Sequence, residues 1–231
     1  MDGLATVPEI LARLGTIDAD LPTSDGVHVF NRVYLTVTER VAALLEQGDT
    51  FQDNPAATEL DVRFATLWLD AYDADTAGQR PPTPWRPLFE TRHEPNRLPI
   101  QYALAGINAH IEHDLALAVV GTCQSRGTTP DDSDDSTVRH DYDAINDVLA
   151  DVEAEVRRSF LDEVGRDADD VLGPVAHLIS AWSIDKARDA AFLQARTIWE
   201  LRRTTFLREL YIAALGDTVG MASRLLLTPV P

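Results

Sequence analysis

The sequence predicts an all-α protein, a single-domain antiparallel helical bundle of about six to seven helices over residues 1–231. Apolar residues recur at helical spacing along nearly the whole chain, and no alternating strand pattern competes with them. Prolines, glycines and short polar runs punctuate the periodic segments where helices begin and end. With 231 residues, 45% of them hydrophobic and four tryptophans among them, the chain can bury a core of useful size.

The first helix is expected from about Pro8 to Asp18, with Pro8 in the first turn, where its missing N–H does no harm. A second starts after Gly26 and carries Phe30, Tyr34, Val37, Val41, Leu44 and Leu45 on its stripe until EQGD ends it. A third follows Pro55 and aligns Phe64, Trp68, Ala71 and Tyr72. The segment 80–99, RPPTPWRPLFETRHEPNRLP, contains six prolines and cannot be helical throughout; it reads as a stiff connection anchored by Trp85, Leu88 and Phe89. A fourth helix, about Ile100 to Thr122, is apolar nearly all round, as a central helix of a bundle would be. Residues 125–140 form an acidic, solvated loop. A fifth helix is expected over Asp141–Val164, a short one near Val171–Leu178 and a long one over Ala181–Leu215, with the tail MASRLLLTPVP packing back on the body or offering a partner surface.

Charge speaks about solvent and partners. Asp is present 26 times and Glu 12, and of 20 basic residues only Lys186 is lysine, for a net charge of -18. That balance suits very high salt, where screening weakens self-repulsion. It argues against nucleic acid as a partner, because no basic cluster stands out to meet phosphates. No apolar run is long enough for a bilayer and no leader pattern opens the chain, so a cytoplasmic protein with no membrane partner is expected. Cys123 stands alone and is expected to fill apolar space near a helix end. The usual phosphate-loop, dinucleotide and serine-elbow patterns are absent from the sequence.

GINAHIEHDLALAVV is the stretch that carries chemistry. His110, His113 and Asp114 stand three and four positions apart on an apolar helix, so neighbouring side chains share a face. Such spacing can hold a divalent metal or couple a histidine to a carboxylate. Gly106, one turn earlier, leaves room for a close approach. Polar residues on other apolar stripes are the candidate partners: Asp61 beside Phe64 and Trp68, Asp185 and Asp189 on a face with Trp182, Phe192 and Arg196, Asn31 beside Tyr34, and His93 from the proline-rich loop as a lid residue. The same acids could instead pair with Arg32, Arg63, Arg188 or Arg196, and His110 could serve a buried hydrogen-bond network alone. His28, His140 and His177 read as surface or loop-end residues, and Trp85 and Trp199 as core anchors.

Taken together, FNRVYLTVTE, LDVRFATLWLDAYD, PWRPLFETRHEP, QYALAGINAHIEHDLALAVVGTC and WSIDKARDAAFLQARTIWELR resemble a bacterial and archaeal all-helical family, domain-of-unknown-function family 5995. The resemblance runs from about Phe30 to Arg202 and is most distinctive at NAHIEHDL. It implies that Asn108, His110, His113, Asp114, Arg188 and Asp189 share a site, and it implies no activity. A looser resemblance is to the HD-domain metal phosphohydrolases, whose His-Asp doublet would be His113 and Asp114, with His93 or His110 upstream and Asp185 downstream. The chain departs from that pattern: the glycine that often follows the doublet is missing, and the upstream histidines lack the usual helical setting.

Three functions follow from the cluster. The first is a metal-dependent hydrolase of a small molecule, with His110, His113 and Asp114 holding a divalent ion that acidifies water and Asp61 or His93 as fourth ligand or base. The second is a non-catalytic protein that binds a small ligand or a partner through the same residues. The third is a purely structural polar network. The oligomeric state has no signature in the sequence.

Overall fold

A computed structural model describes residues 4–133, 135–164 and 183–229. Among them every regular element is helical. Helix α1 spans Val7–Asp20, α2 Gly26–Gln47, α3 Asn54–Thr76, α4 Arg86–Thr91, α5 Pro99–Ala109, α6 Ala116–Arg126, α7 Thr137–Asp143, α8 Asn146–Val164, α9 Ile184–Glu200 and α10 Thr205–Leu226. A π-helical segment, His110–Leu115, joins α5 to α6 without a break, and a 3-10 turn, Leu201–Arg203, stands between α9 and α10. The helix expected at 171–178 lies outside the described residues, as do His177 and Trp182.

Local chemistry sets the boundaries. Thr6 and Glu9 cap each other at the start of α1, with Glu9 Oε2 accepting the Thr6 N–H at 2.7 Å. Asp25 accepts the Val27 N–H at 2.8 Å to start α2, and Asp53 does the same for Ala56 at 3.0 Å in α3. Gly48 and Gly127, at φ 77° and 67°, end α2 and α6 in a conformation that side chains rarely adopt.

The proline-rich segment is partly helical, and it folds because its apolar residues are anchors. Trp85, Leu88 and Phe89 are all buried, and α4 forms around them. Arg92, at the end of this turn, forks onto both oxygens of Asp25 at 3.0 and 2.8 Å and reaches Asp75 at 3.0 Å. That ties α4 to the start of α2 and the end of α3.

Three boundaries differ from the sequence expectation, and one of them is that the helix expected over Asp141–Val164 is broken after Asp143 and resumes at Asn146. The helix expected over 181–215 is two, because after Glu200 the chain tightens into a 3-10 turn and resumes at Thr205. The acidic loop is shorter than 125–140: α6 continues to Arg126, and Ser136 caps α7 by accepting the Arg139 N–H. The tail packs back as expected, with Leu227 buried, its carbonyl taken by Arg97 Nε at 2.6 Å, and Gln101 Nε2 donating to the Leu226 and Thr228 carbonyls at 2.7 Å.

The continuous α5–π–α6 rod is the centre. α2 and α10 pack on its first half, and α3 and α9 on its second. One apolar cluster joins Leu14 of α1, Phe30 of α2, Trp68 of α3, Trp85, Ile107 of α5, Val119 of α6 and Phe192 of α9. Gly106 is where α2 comes closest: a Cβ there would lie 2.3 Å from the Phe30 ring. No helix among the described residues is long and apolar enough to cross a membrane.

Candidate functional site

The π segment places the chemistry. In a π turn the backbone bonds reach one residue further than in an α-helix, and such turns cluster at functional sites. Here the segment is HIEHDL itself, so the three polar residues sit where the helix widens. The sequence expectation of regular α-helical spacing is corrected accordingly: an apolar helix of unbroken α geometry was expected, and the tertiary packing of α3, α9 and α10 around 110–115 holds the wider turn instead.

Asp114 is a fully enclosed hub. Its Oδ2 accepts from Trp85 Nε1 at 2.9 Å and faces His110 Nδ1 at 3.2 Å, while its Oδ1 faces His113 Nδ1 at 2.7 Å. Burial pushes its pKa up, but the hydrogen bonds of His110 and His113 outweigh this and hold it below the usual carboxylate range. An ionised carboxylate only accepts, so both Nδ1 atoms carry hydrogen. Burial lowers the His110 pKa against the pull of Asp114, leaving a neutral ring whose Nε2 is a lone-pair acceptor.

His110 Nε2 is buried and has no hydrogen-bond partner among the described residues. The ring lines an apolar cavity of about 80 Å³ between α2, α3, the π segment, α8 and α9, walled by Val33, Val37, Ile107, Ile145, Leu149 and Val152. Two further buried polar atoms on the same wall lack partners, Asp61 Oδ2 and Tyr34 Oη. Burial pushes Asp61 up to about 7. Burial and then the Asp61 charge raise the Tyr34 phenol, with Thr38 opposing. Arg188 lines the cavity as well, deeply buried, donating Nε to Asn146 Oδ1 at 3.0 Å and Nη2 to the Tyr142 carbonyl.

Of the residues picked out in the sequence, His110, Asp61 and Arg188 meet at this cavity. The others do not. Asn31 is spent on the core, donating to the Leu14 carbonyl at 2.9 Å and accepting from Trp68 Nε1 at 3.3 Å. Asn108 points to α10, donating to the Val219 carbonyl and to Ser223 Oγ at 3.1 and 3.0 Å. His113 lies toward Gly216 of α10. His93 is 75% exposed and 3.6 Å from Asp25, so it is no lid over the cluster. Asp185 and Asp189 face solvent, Asp189 pairing with Arg139 at 2.8 Å, because Ile184 and Arg188 occupy the inward stripe of α9. His28 is buried beside Asp18 rather than at the surface.

Metal ligation by His110, His113 and Asp114 meets a specific obstacle: both carboxylate oxygens and both Nδ1 atoms already satisfy one another. Among the described residues no three His, Cys, Asp or Glu side chains are grouped to hold a metal ion. The residues that sequence reasoning passed over are Tyr34, read there as core alone, Trp85 as a donor to Asp114, and Phe64 as the plane on which His110 lies. For Tyr34 and Trp85 the one available signal was the polar atom that each aromatic side chain carries into the core.

A family model described as "Family of unknown function (DUF5995)" matches residues 7–229, beyond both ends of the similarity seen in the motifs. No curated protein and no solved structure matches the chain.

Proposed function

For a chain that belongs to this family of unknown function, we propose a protein that takes a small, largely apolar molecule into the His110 cavity and acts on it by proton transfer. One observation carries this reading: His110, Asp61 and Tyr34 line a single cavity, and each has a buried polar atom, Nε2, Oδ2 and Oη, with no partner among the described residues. Each unmet polar atom costs about 1–3 kcal/mol in a folded protein, a penalty that a bound ligand or water would remove. Asp114 orients His110 through Nδ1, so that Nε2 is the basic atom presented to the cavity. A carboxyl with a pKa of about 7 stands across from it as proton donor or acceptor near neutrality. With a water beside Nε2 the same pair would serve hydrolysis, the reaction class expected from the sequence.

The cellular setting belongs to the same proposal. The excess of Asp, the single lysine and the net charge of -18 support a cytoplasm of very high salt.

The test is an NMR titration of the labelled chain with a set of small apolar alcohols and amides. Shifts gathered on Val37, Ile107 and Leu149, and lost in a folded His110→Ala variant, are expected. Shifts scattered over the surface, or unchanged in that variant, would sink the reading.

A further inference from the structure

Arg188 is charged and buried, and among the described residues it forms no ion pair. It sits on the inward stripe of α9, 4% exposed, between Ala187 and Ala191, and its ring neighbour is Tyr142, with the guanidinium carbon 4.1 Å from the ring centroid. Its two hydrogen bonds go to neutral acceptors, the Asn146 amide oxygen and the Tyr142 carbonyl. Among the described residues no carboxylate forms an ion pair with it. Asp143 Oδ2 is engaged by Arg139 at 2.7 Å, Asp185 faces solvent, and Asp61, which shares its cavity, forms no ion pair among the described residues. A guanidinium carries five N–H donors, and the two hydrogen bonds leave Nη1 unused.

Asp143 and Asp185 act on Arg188 only through space, and a buried cation whose hydrogen bonds all go to neutral groups is a costly arrangement that a directly bound anion would relieve. Several described arginines differ from Arg188 in this respect. Arg40, Arg63, Arg92, Arg126 and Arg139 each hold a carboxylate, and all are more exposed. The planar fork of a guanidinium matches a carboxylate better than it matches a hydroxyl or a carbonyl. The cavity that Arg188 and His110 share is lined mainly by aliphatic and aromatic side chains, with Thr38, Asp61 and Glu153 also on its wall, and a neighbouring recess of about 50 Å³ continues past Asp61 and Arg188 toward Phe51.

We propose that the ligand of the His110 cavity is a short-chain apolar carboxylate, its carboxylate held by Arg188 and its hydrocarbon body lying along Val37, Ile107 and Leu149. This rests on the cavity being a ligand site, as proposed above, and adds the chemical class. Any hydroxyl or N–H on the body would be met by His110 Nε2, an acceptor.

The test compares butyrate and isovalerate with isobutanol by NMR titration of the full chain at one fixed salt concentration. The two acids are expected to bind the parent at least about tenfold more tightly than the alcohol, and to compete with it for the same shifts. In Arg188→Gln that preference is expected to vanish, and in Arg188→Lys to return in part. Should Arg188→Gln not fold, the acid-to-alcohol ratio in the parent decides alone. Isobutanol binding as tightly as the acids would overturn the carboxylate assignment and leave the cavity reading standing. If neither acids nor alcohol shift the cavity residues, both fall together.

Discussion

Phe64 lies flat against His110, with ring centroids 3.6 Å apart and planes 7° from parallel. Tyr34 meets the same imidazole edge-on at 4.5 Å. With Asp114 at Nδ1, the ring is held on three sides in the cavity wall, and Nε2 is left buried without a partner among the described residues.

The His110 imidazole is therefore expected as the neutral Nδ1–H tautomer, visible in the ring ¹⁵N shifts of the folded protein. Burial lowers its pKa, so the folded ring takes up a proton later than the unfolded one as pH falls. Its contribution to stability is complete above the unfolded value of about 6.5 and erodes on acidification below it. A ring that titrates at or above 6.5, or an Nε2–H tautomer, contradicts the orientation described here.

Asp61 runs the opposite way. Its pKa rises from 3.8 to about 7 on folding, so the folded state binds more protons between those values, and stability falls as pH climbs through that window. Asp61→Asn removes the penalty. Denaturant unfolding should show the variant more stable than the parent at pH 8, by an amount on the order of 4 kcal/mol, with the difference closing by about pH 4. A difference independent of pH would mean that the carboxyl is not desolvated in solution.

Asp114 and Trp85 separate structure from chemistry. Asp114→Asn turns one acceptor of the hub into a donor facing donors, and is expected to lower stability by about 3–5 kcal/mol. Trp85→Phe keeps the ring packed against Phe30 and Trp68, 5.2 and 4.6 Å away by centroid, and loses one hydrogen bond to a charged acceptor, about 1.5–3 kcal/mol. The order of the two midpoints in urea is the check: Trp85→Phe falling below Asp114→Asn would remove Asp114 from the centre of the network.

Salt should stabilise the fold. A net charge of -18 repels itself, and screening at high ionic strength weakens that repulsion. The melting temperature is expected to rise as KCl increases toward molar concentrations. A flat or falling midpoint would point to an acidic protein of ordinary salt.

The sequence by itself determined the fold class, the boundaries of the first helices, and the polar cluster. Each of these is local: apolar spacing, Thr6, Asp25 and Asp53 at the caps, Gly48 and Gly127 at the ends, and His110 and Asp114 one turn apart. Only the tertiary structure decided what the cluster faces. Asp61, Tyr34 and Arg188 reach the cavity from α3, α2 and α9, helices remote in sequence, while Asp185 and Asp189 turn to solvent and His93 stays on the surface. The reason is that residues at the edge of an amphipathic stripe can turn either way, and the choice is made by the helix that packs beside them. The π segment has the same origin: its wider turn is held by the groups around His110–Leu115, and no residue within it announces that register.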